Sequence, residues 1–267
     1  MKIDLILSGI VKVCMAKNTQ DDTQERYSRQ LKIPQWGEAA QRKLQSSHIT
    51  VVGTGGLGSP VLYYLAAAGV GKLRLIDGDK VDISNLNRQI LFAEGDIGKY
   101  KAQRAAEKIG ALNSDIELEY IADTLSAENI DMLIPATDVI VDCLDNFSTR
   151  FVLNKYAVSR KITLVHAGIH SFSGQLTTII PGETPCLECL FAGMKDPTLE
   201  SGAQVPSPVL GAVVGVIGSL QSLEAIKIAG NVGATYAQRL LIYEGLSGNF
   251  NEIEVTRNMN CPVCAVL

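Results

Sequence analysis

The chain has 267 residues, of which 46% are hydrophobic and 19% are charged. This composition supplies enough apolar residues for a core and excludes a disordered chain. Lys and Arg number 24 against 28 Asp and Glu, so the net charge is −4. That balance argues against a protein that binds nucleic acid by neutralising phosphates, and we expect no nucleic-acid partner.

The apolar segments are too short to predict a membrane span. The longest, VLGAVVGVIGSL at residues 209–220, has 12 residues and three glycines, whereas a span needs about 20 apolar residues. It predicts a buried helix. The first 14 residues contain Asp4 and no A-x-A-like cleavage site, so we expect no secretory signal, no stable membrane insertion and a cytoplasmic location. Met15 is an alternative start, and we assign residues 1–25 to an N-terminal extension and 26–267 to a single domain.

Strand-like and helix-like runs alternate along the middle of the chain. The predicted strands are 48–52, 73–77, 116–121, 139–143 and 162–166, and the predicted helices are 57–68, 99–112 and 147–159. This order is typical of a Rossmann-like α/β fold, with a mostly parallel sheet and helices on both faces. The last part of the chain predicts a strand at 175–180, a polar loop at 193–208, a helix at 209–229 and two C-terminal antiparallel strands.

A glycine-rich turn follows the strand at 48–52. Its sequence, GTGGLG, contains Gly53, Gly55, Gly56 and Gly58 and opens a helix. Glycines let the backbone approach phosphates closely, and the helix start offers free N–H groups and a positive dipole end. Asp77 ends the next strand, 19 residues after Gly58, where a carboxylate can accept from ribose hydroxyls. The pattern predicts a nucleotide site; the alternative is a tight strand–helix turn with a surface aspartate.

Three charged residues further along favour a triphosphate over a dinucleotide. Arg88 lies in DISNLNRQ, Lys101 in GKYK and Asp145 in CLDN. Two cations beside a phosphate-binding turn would stabilise charge on an α-phosphate, and the carboxylate would hold Mg²⁺. Each residue alone has another interpretation: Arg88 as a surface ion-pair partner, Lys101 as a solvated helix residue and Asp145 as a helix N-cap.

Four of the six cysteines form two CxxC pairs separated by 71 residues. Four thiolates at such spacing predict a closed, structural Zn²⁺ site that ties the C-terminal end of the chain to a loop far behind it. The alternatives are reduced surface cysteines or disulfides, and disulfides fit poorly with a cytosolic chain. The predicted ligands are Cys186, Cys189, Cys261 and Cys264.

Taken in order, these segments resemble the ThiF/MoeB/HesA family, prokaryotic relatives of ubiquitin-activating enzymes. The resemblance extends from about Arg26 to the end of the chain. It is carried by RYSRQ, GTGGLG, LIDGD, DISNLNRQ, GKYK, DCLDN, PCLEC, GVIGSLQSLEAIK and CPVC.

The resemblance implies an ATP-dependent adenylyltransferase. Its substrate would be the C-terminal glycine of a ubiquitin-like sulfur carrier that ends in Gly-Gly, such as ThiS or MoaD, and pyrophosphate would leave. Gly56 would contact phosphate and Asp77 the ribose, with Asp79 in the same nucleotide-binding stretch.

The resemblance also implies catalytic roles. Asn85, Arg88 and Lys101 would stabilise the transferring phosphoryl group, and Asp145 would position Mg²⁺. Arg29 of RYSRQ would reach into the active site of a partner subunit, which implies a homodimer.

One departure from the family concerns a cysteine that some relatives carry in the crossover loop. Residues 190–214 contain no cysteine; Gln204 lies near its place, and Ser201 lacks an evident base. We therefore predict adenylation without a thioester, with sulfur from a donor protein or sulfide. His166 and His170 are candidate catalytic residues, with core or rim positions as the alternative. The competing functions are adenylation of another carboxylate (a peptide or small molecule), a catalytically silent scaffold that binds ATP and a carrier, and an NAD-dependent oxidoreductase.

Overall fold

A computed structural model describes residues 2–6, 9–14, 25–191 and 208–265. The strands in this part of the chain are β1 Lys2–Ile6, β2 Ile10–Cys14, β3 His48–Val52, β4 Lys72–Ile76, β5 Glu117–Ile121, β6 Val139–Asp142, β7 Thr163–His170, β8 Ser173–Ile179, β9 Arg239–Glu244 and β10 Asn249–Glu254. The helices are α1 Ser28–Leu31, α2 Gly37–Ser46, α3 Gly58–Ala68, α4 Lys101–Leu112, α5 Ile130–Leu133, α6 Phe147–Arg160, α7 Leu187–Phe191 and α8 Gly211–Gly230.

The strands form one sheet in the order β1-β2-β5-β4-β3-β6-β7-β8-β9-β10. The five strands from β5 to β7 are parallel, while β8, β9 and β10 continue the sheet antiparallel. The parallel strands are buried along nearly their whole length, as expected for a sheet covered on both faces. The predicted fold class, including the C-terminal antiparallel strands, is confirmed.

Two apolar layers cover the sheet. Side chains of α3, α4 and α8 form one layer with alternate strand residues such as Ile49 and Val51. Those of α5, α6 and α7 form the other with the strand residues between, such as Val52 and Ile140. The period-2 alternation of the strands thus supplies both cores.

Helix α8 lies in the middle of the first layer. A Cβ on its Gly218 would come within 2.4 Å of Pro60 Cγ on α3, so the two helices meet closely. Among the described helices, α8 has the length and apolar composition that crossing a membrane requires. It also carries buried Glu224, which accepts from Thr178 Oγ1 and from the Tyr236 N–H, both at 2.8 Å. The segment is a core helix, as predicted, and runs from residue 211 to 230.

Strands β1 and β2 pair antiparallel with each other, a pairing that the sequence patterns did not predict. Strand β2 also pairs antiparallel with β5 and covers that edge of the parallel strands. Val11 and Val13 are buried there, and Lys12 pairs with Glu117 at 2.9 Å. A short apolar run does not distinguish a strand from other apolar segments, which is why the pattern was not decisive.

Other boundaries differ from prediction by a few residues. The helix predicted from 99 begins at Lys101, and β7 extends to His170. Helices α1, α2, α5 and α7 were not predicted. The loop predicted at 193–208 lies outside the described residues except for its last position, as do Ser201 and Gln204.

Candidate active site

The glycine-rich turn lies at the carboxyl edge of the parallel strands, between β3 and α3. Gly53 has a φ of +92°, and its N–H donates to the Ile76 carbonyl at 2.8 Å. A Cβ at Gly53 would lie 2.6 Å from the Cys143 carbonyl oxygen, and a Cβ at Gly58 would lie 2.2 Å from the Gly53 carbonyl oxygen. Neither position accommodates a side chain, so the turn remains a bare backbone surface at the start of a helix.

The two middle glycines face neighbouring segments. A Cβ at Gly55 would lie 3.1 Å from Gln89 Nε2, and one at Gly56 would lie 3.1 Å from Val214 Cγ1 at the start of α8. Gln89 is buried, and its Oε1 has no hydrogen-bond partner among the described residues. Gln89 was not predicted as a site residue. The only sequence feature that pointed to it was its place in the motif DISNLNRQ.

Asp77 follows β4, and its carboxylate binds the glycine-rich turn through Thr54. Its Oδ2 accepts from Thr54 N at 2.7 Å and from Thr54 Oγ1 at 2.9 Å, and its Oδ1 accepts from Asp79 N at 2.9 Å. Burial raises the pKa of Asp77, opposed by the charge of Lys101. A carboxylate has about four acceptor positions, so Asp77 retains capacity for a ribose hydroxyl. Thr54 gave no signal in the sequence beyond its place in the turn.

Lys101 is the first residue of α4, and its ammonium group points to the same edge. The side chain is only 8% exposed, and Nζ donates to Asp79 Oδ2 at 2.9 Å, whereas the Asp79 side chain is 71% exposed. The alternative of a solvated lysine is therefore wrong. A buried cation paired with an exposed carboxylate can exchange that partner for a phosphate without unburying itself.

Arg88 lies on the far side of the glycine turn, after a 3₁₀ turn at residues 83–85. The turn is closed by Asp82, whose Oδ1 accepts from Ser84 N at 2.8 Å and whose N–H donates to Asn85 Oδ1 at 3.2 Å. Arg88 Nη1 donates to the Ser84 carbonyl at 2.9 Å and to Asn87 Oδ1 at 3.0 Å. In the described part of the chain no carboxylate pairs with Arg88, so the ion-pair alternative is not observed among these residues.

Asp145 lies in the turn between β6 and α6 and is exposed. Asn146 caps α6, with its Oδ1 accepting from Thr149 N at 2.9 Å, so the alternative of Asp145 as the N-cap is wrong. Within the described ranges no group donates a hydrogen bond to Asp145. Mg²⁺ is typically held by one or two carboxylates together with substrate phosphates, and an exposed carboxylate at this edge fits that role.

Asp142, three residues before Asp145, forms a buried polar pair with His166. Asp142 Oδ2 is 2.7 Å from His166 Nδ1, and both side chains are fully buried. Burial lowers the pKa of His166, opposed by the hydrogen bond with Asp142. The core alternative therefore holds for His166, which is neutral near pH 7 and donates through Nδ1 to the carboxylate. His170 lies exposed at the end of β7.

Arg29 is not near this site in its own chain. Gln30 Nε2 donates to the Ala68 carbonyl at 2.8 Å, and the Tyr27 ring lies against Gly69. These contacts hold α1 at the carboxyl end of α3, whereas the glycine turn lies at the amino end, about 16 Å away along the helix. Arg29 itself is exposed.

A cavity of about 420 Å³ lies at the opposite edge of the sheet. His48, Lys72 and Glu117, the first residues of β3, β4 and β5, contribute to its lining. Because the glycine turn is at the carboxyl ends of these strands, this cavity is separate from the candidate active site.

The four predicted zinc ligands lie together. Their sulfur atoms are all within 4.8 Å of one another, with Cys186–Cys261 at 3.7 Å and Cys189–Cys264 at 3.4 Å. Four sulfurs each about 2.3 Å from one Zn²⁺ would be about 3.8 Å apart, so the cluster fits a tetrahedral ion. These separations also exclude disulfides, whose sulfurs are about 2.05 Å apart.

Comparison with known proteins identifies the family. The fold defines the class, a Rossmann-like α/β protein with a four-cysteine cluster of the zinc type. The model of the ThiF family matches residues 27–263. The chain therefore belongs to the ThiF family, and it is an enzyme of the adenylyltransferase class.

Individual relatives agree with this assignment. The SAMP-activating enzyme E1 of Haloferax volcanii is 39% identical over 245 residues, covering 91% of this chain and 90% of that protein. The sulfur carrier protein adenylyltransferase of Thermus thermophilus is 40% identical over 249 residues, covering 90% of each. The structure of E. coli MccB with ATP matches with a TM-score of 0.77 at 25% identity, over 85% of this chain and 68% of that one.

Proposed function

We propose that this enzyme uses ATP to adenylate the C-terminal glycine carboxylate of a ubiquitin-like sulfur carrier. The observation that carries the proposal is the meeting, at one sheet edge, of the bare glycine turn with two cations and an exposed carboxylate. These are Arg88, Lys101 and Asp145. The similarity to a sulfur carrier protein adenylyltransferase supports the carrier as substrate, and the similarity to MccB solved with ATP supports the nucleotide.

The reaction needs positioning and charge stabilisation rather than a protein nucleophile. A carrier carboxylate oxygen attacks the α-phosphorus, the bond from that phosphorus to the bridging oxygen of the β-phosphate breaks, and pyrophosphate leaves with the electron pair. The carboxylate is already ionised at neutral pH, so no general base is required. Arg88 and Lys101 stabilise the charge that develops on the phosphoryl oxygens, together with Asn85.

The remaining groups bind and orient ATP. The turn N–H groups of Gly55, Gly56 and Gly58 would surround the phosphates, while Gly53, whose own N–H donates to the Ile76 carbonyl, would shape the turn. Asp77 accepts from the ribose. Asp145 would hold Mg²⁺, which when bound neutralises part of the triphosphate charge. Asp79 releases Lys101 to the phosphate when the nucleotide enters.

Arg29 acts, in this proposal, in the active site of a second subunit of a homodimer. Its position at the carboxyl end of α3, about 16 Å from the glycine turn of its own chain, supports action in trans. The chain has no cysteine between residues 190 and 214, which supports adenylation without a thioester. Sulfur then comes from a separate donor protein or from sulfide.

A second candidate function is adenylation of a different carboxylate. The similarity to MccB, solved in complex with N-formylated MccA at 25% identity and a TM-score of 0.80, favours it. The two candidates share the active site and differ only in the acceptor.

The test is ATP–pyrophosphate exchange with purified candidate carriers that end in Gly-Gly. We expect exchange that depends on the carrier and disappears with a carrier lacking its last glycine, which is the matched control. No exchange with any carrier, in a folded protein supplied with Mg²⁺, would overturn the carrier as substrate. A thioester, seen as a carrier adduct cleaved by reducing agent, would contradict the cysteine-free route.

A further inference from the structure

The turn that presents Asp145 is held on one side by the Asn146 cap of α6 and on the other by a buried ion pair. Residues 143–146 connect β6 to α6, and Asp145 itself accepts no hydrogen bond within the described part of the chain. Both backbone polar atoms of Leu144, the residue immediately before Asp145, are held. The Leu144 N–H donates to Asp142 Oδ1 at 3.0 Å, and the Leu144 carbonyl accepts from Arg150 Nη2.

Arg150 links this turn to the next strand. The same Nη2 also donates to the Ala167 carbonyl on β7 at 3.0 Å, and Arg150 Nε lies 3.6 Å from Asp142 Oδ2. The Asp142 and Arg150 side chains are 0% and 7% exposed. His166 Nδ1 donates to the same oxygen, Asp142 Oδ2, at 2.7 Å.

The charges in this set balance without Asp145. With His166 neutral, the negative charge of Asp142 is matched by the positive charge of Arg150. The exposed carboxylate of Asp145 is therefore not needed to balance the charge of Arg150. An Arg guanidinium is planar and donates in fixed directions, which suits a group that donates to two carbonyls while its charge faces a carboxylate, although its Nε makes no hydrogen bond among the described residues. Among the described contacts none joins Arg150 directly to Asp145. Any effect of Arg150 on the position of Asp145 therefore passes through the Leu144 peptide, that is, the peptide group that joins Leu144 to Asp145 and whose carbonyl accepts from Arg150.

We propose that Arg150 is a positioning residue that sets the place of the Asp145 carboxylate through the Leu144 peptide. The inference rests on the proposed function, in which Asp145 holds Mg²⁺ against the nucleotide. Residues that orient a metal-binding carboxylate typically change metal affinity or activity about 10–100-fold when they are substituted.

The first experiment substitutes Arg150→Lys, which keeps the charge opposite Asp142 but loses the planar fork. Calorimetry of ATP binding across a Mg²⁺ titration needs no carrier. We expect the half-saturating Mg²⁺ concentration to rise about 10-fold or more, with nucleotide binding in the absence of Mg²⁺ unchanged. Arg160→Lys is the matched control, since Arg160 is on the same helix but pairs with Asp131 at the surface. An unchanged Mg²⁺ requirement in a folded Arg150→Lys protein would overturn the inference.

A double-mutant cycle tests the route of the effect. If Arg150 acts through Asp145, Arg150→Lys changes Mg²⁺-dependent ATP binding in the wild-type background and not in an Asp145→Asn background. Equal losses in both backgrounds would contradict the inference. Should Arg150→Lys not fold, Asp142→Asn combined with Arg150→Gln removes both buried charges together and carries the same expectation.

Failure of the proposed function gives a different result. Wild-type protein would then show no carrier-dependent exchange, while the calorimetric comparison of the variants would still report on Arg150. If Asp145→Asn alone leaves the Mg²⁺ dependence of ATP binding unchanged, the role of Asp145 is wrong and the inference falls with it.

Discussion

At the scale of single residues, Lys101 places a buried positive charge in the candidate active site. Its ammonium group is buried and paired with the exposed Asp79, while its backbone N–H donates to the Asp79 carbonyl at 2.9 Å. The backbone contact holds the start of α4 whether or not the side chain is present. The side chain is therefore available for chemistry without being needed for the local fold.

Lys101→Ala should lower carrier-dependent ATP–pyrophosphate exchange by about 100- to 1000-fold, because one charge facing the phosphoryl group is lost. The fold should persist, as measured by circular dichroism, since the backbone bond to Asp79 remains. Lys99→Ala is the control: the Lys99 side chain donates to the Gly95 carbonyl at 2.8 Å on the surface. Wild-type exchange by Lys101→Ala would remove Lys101 from the mechanism.

His166 allows the catalytic and structural interpretations to be separated. Its Nδ1 donates to Asp142, and its ring lies 5.7 Å from that of Phe191. Asparagine supplies a donor near the position of Nδ1 but not the ring. His166→Asn should therefore keep exchange within about threefold of wild type while lowering the melting temperature by roughly 3–10 °C through lost packing.

The matched variant is His166→Leu, which fills the space and leaves Asp142 without that donor, so it should be the less stable of the two. A loss of exchange by His166→Asn as large as that of Lys101→Ala, in a folded protein, would restore a catalytic role for His166.

At the scale of elements, the cysteine cluster joins two distant segments. Cys186 directly precedes α7 and Cys189 lies within it, while Cys261 and Cys264 lie in the last seven residues of the sequence. Helix α7 ends at Phe191, whose ring lies 6.2 Å from that of Phe147 at the start of α6. Zinc binding would thus stabilise the layer of helices on one face of the sheet.

Cys261→Ser should abolish zinc retention and lower the melting temperature by roughly 10 °C or more, because a structural zinc site contributes to folding directly. Metal analysis of the wild type should give one zinc per chain. Cys143→Ser is the control, as Cys143 is buried outside the cluster and contacts Gln221 Oε1 at 3.5 Å. A wild-type melting temperature after complete zinc removal would contradict the structural role.

The central elements could be predicted from sequence because their patterns are strong. The apolar strand before Gly53 and the amphipathic helix ending at Leu112 each carry a signal of their own. Strands β1 and β2 and the helices α1, α5 and α7 could not, since four or five residues give no period and their stability comes from tertiary contacts. The ten-residue helix α2 was also missed, and its length does not explain why.

The candidate site shows the same division. Motif residues such as Arg88, Lys101 and Asp145 were predicted as site residues, and they lie at the sheet edge that holds the glycine turn; their roles remain a proposal. The buried partners Asp142 and Arg150 were not, because their roles depend on contacts between separate elements that no local pattern encodes.

At the scale of the whole molecule, the two edges of the sheet differ in the charged and titratable residues that they carry. The carboxyl edge carries the charged residues of the candidate active site, of which Asp145 is exposed and Lys101 is buried. The amino edge carries His48, whose Nε2 is buried without a hydrogen-bond partner among the described residues. Burial lowers the pKa of His48 to about 4, helped by Arg74 and Lys72 and opposed by Glu119 and Asp138.

This edge should set part of the acid sensitivity of the fold. The unfolded chain binds a proton at His48 near pH 6.5, whereas the folded chain binds it only near pH 4. Between these values the unfolded state holds more protons, so the free energy of unfolding falls as pH drops from about 6.5 to about 4. His48→Gln should remove roughly 1–2 kcal/mol of that fall, allowing for partial exposure of the ring. Urea unfolding at pH 7.5, 6 and 4.5 measures it, with exposed His170→Gln as the control; an unchanged pH slope in His48→Gln would refute the assignment.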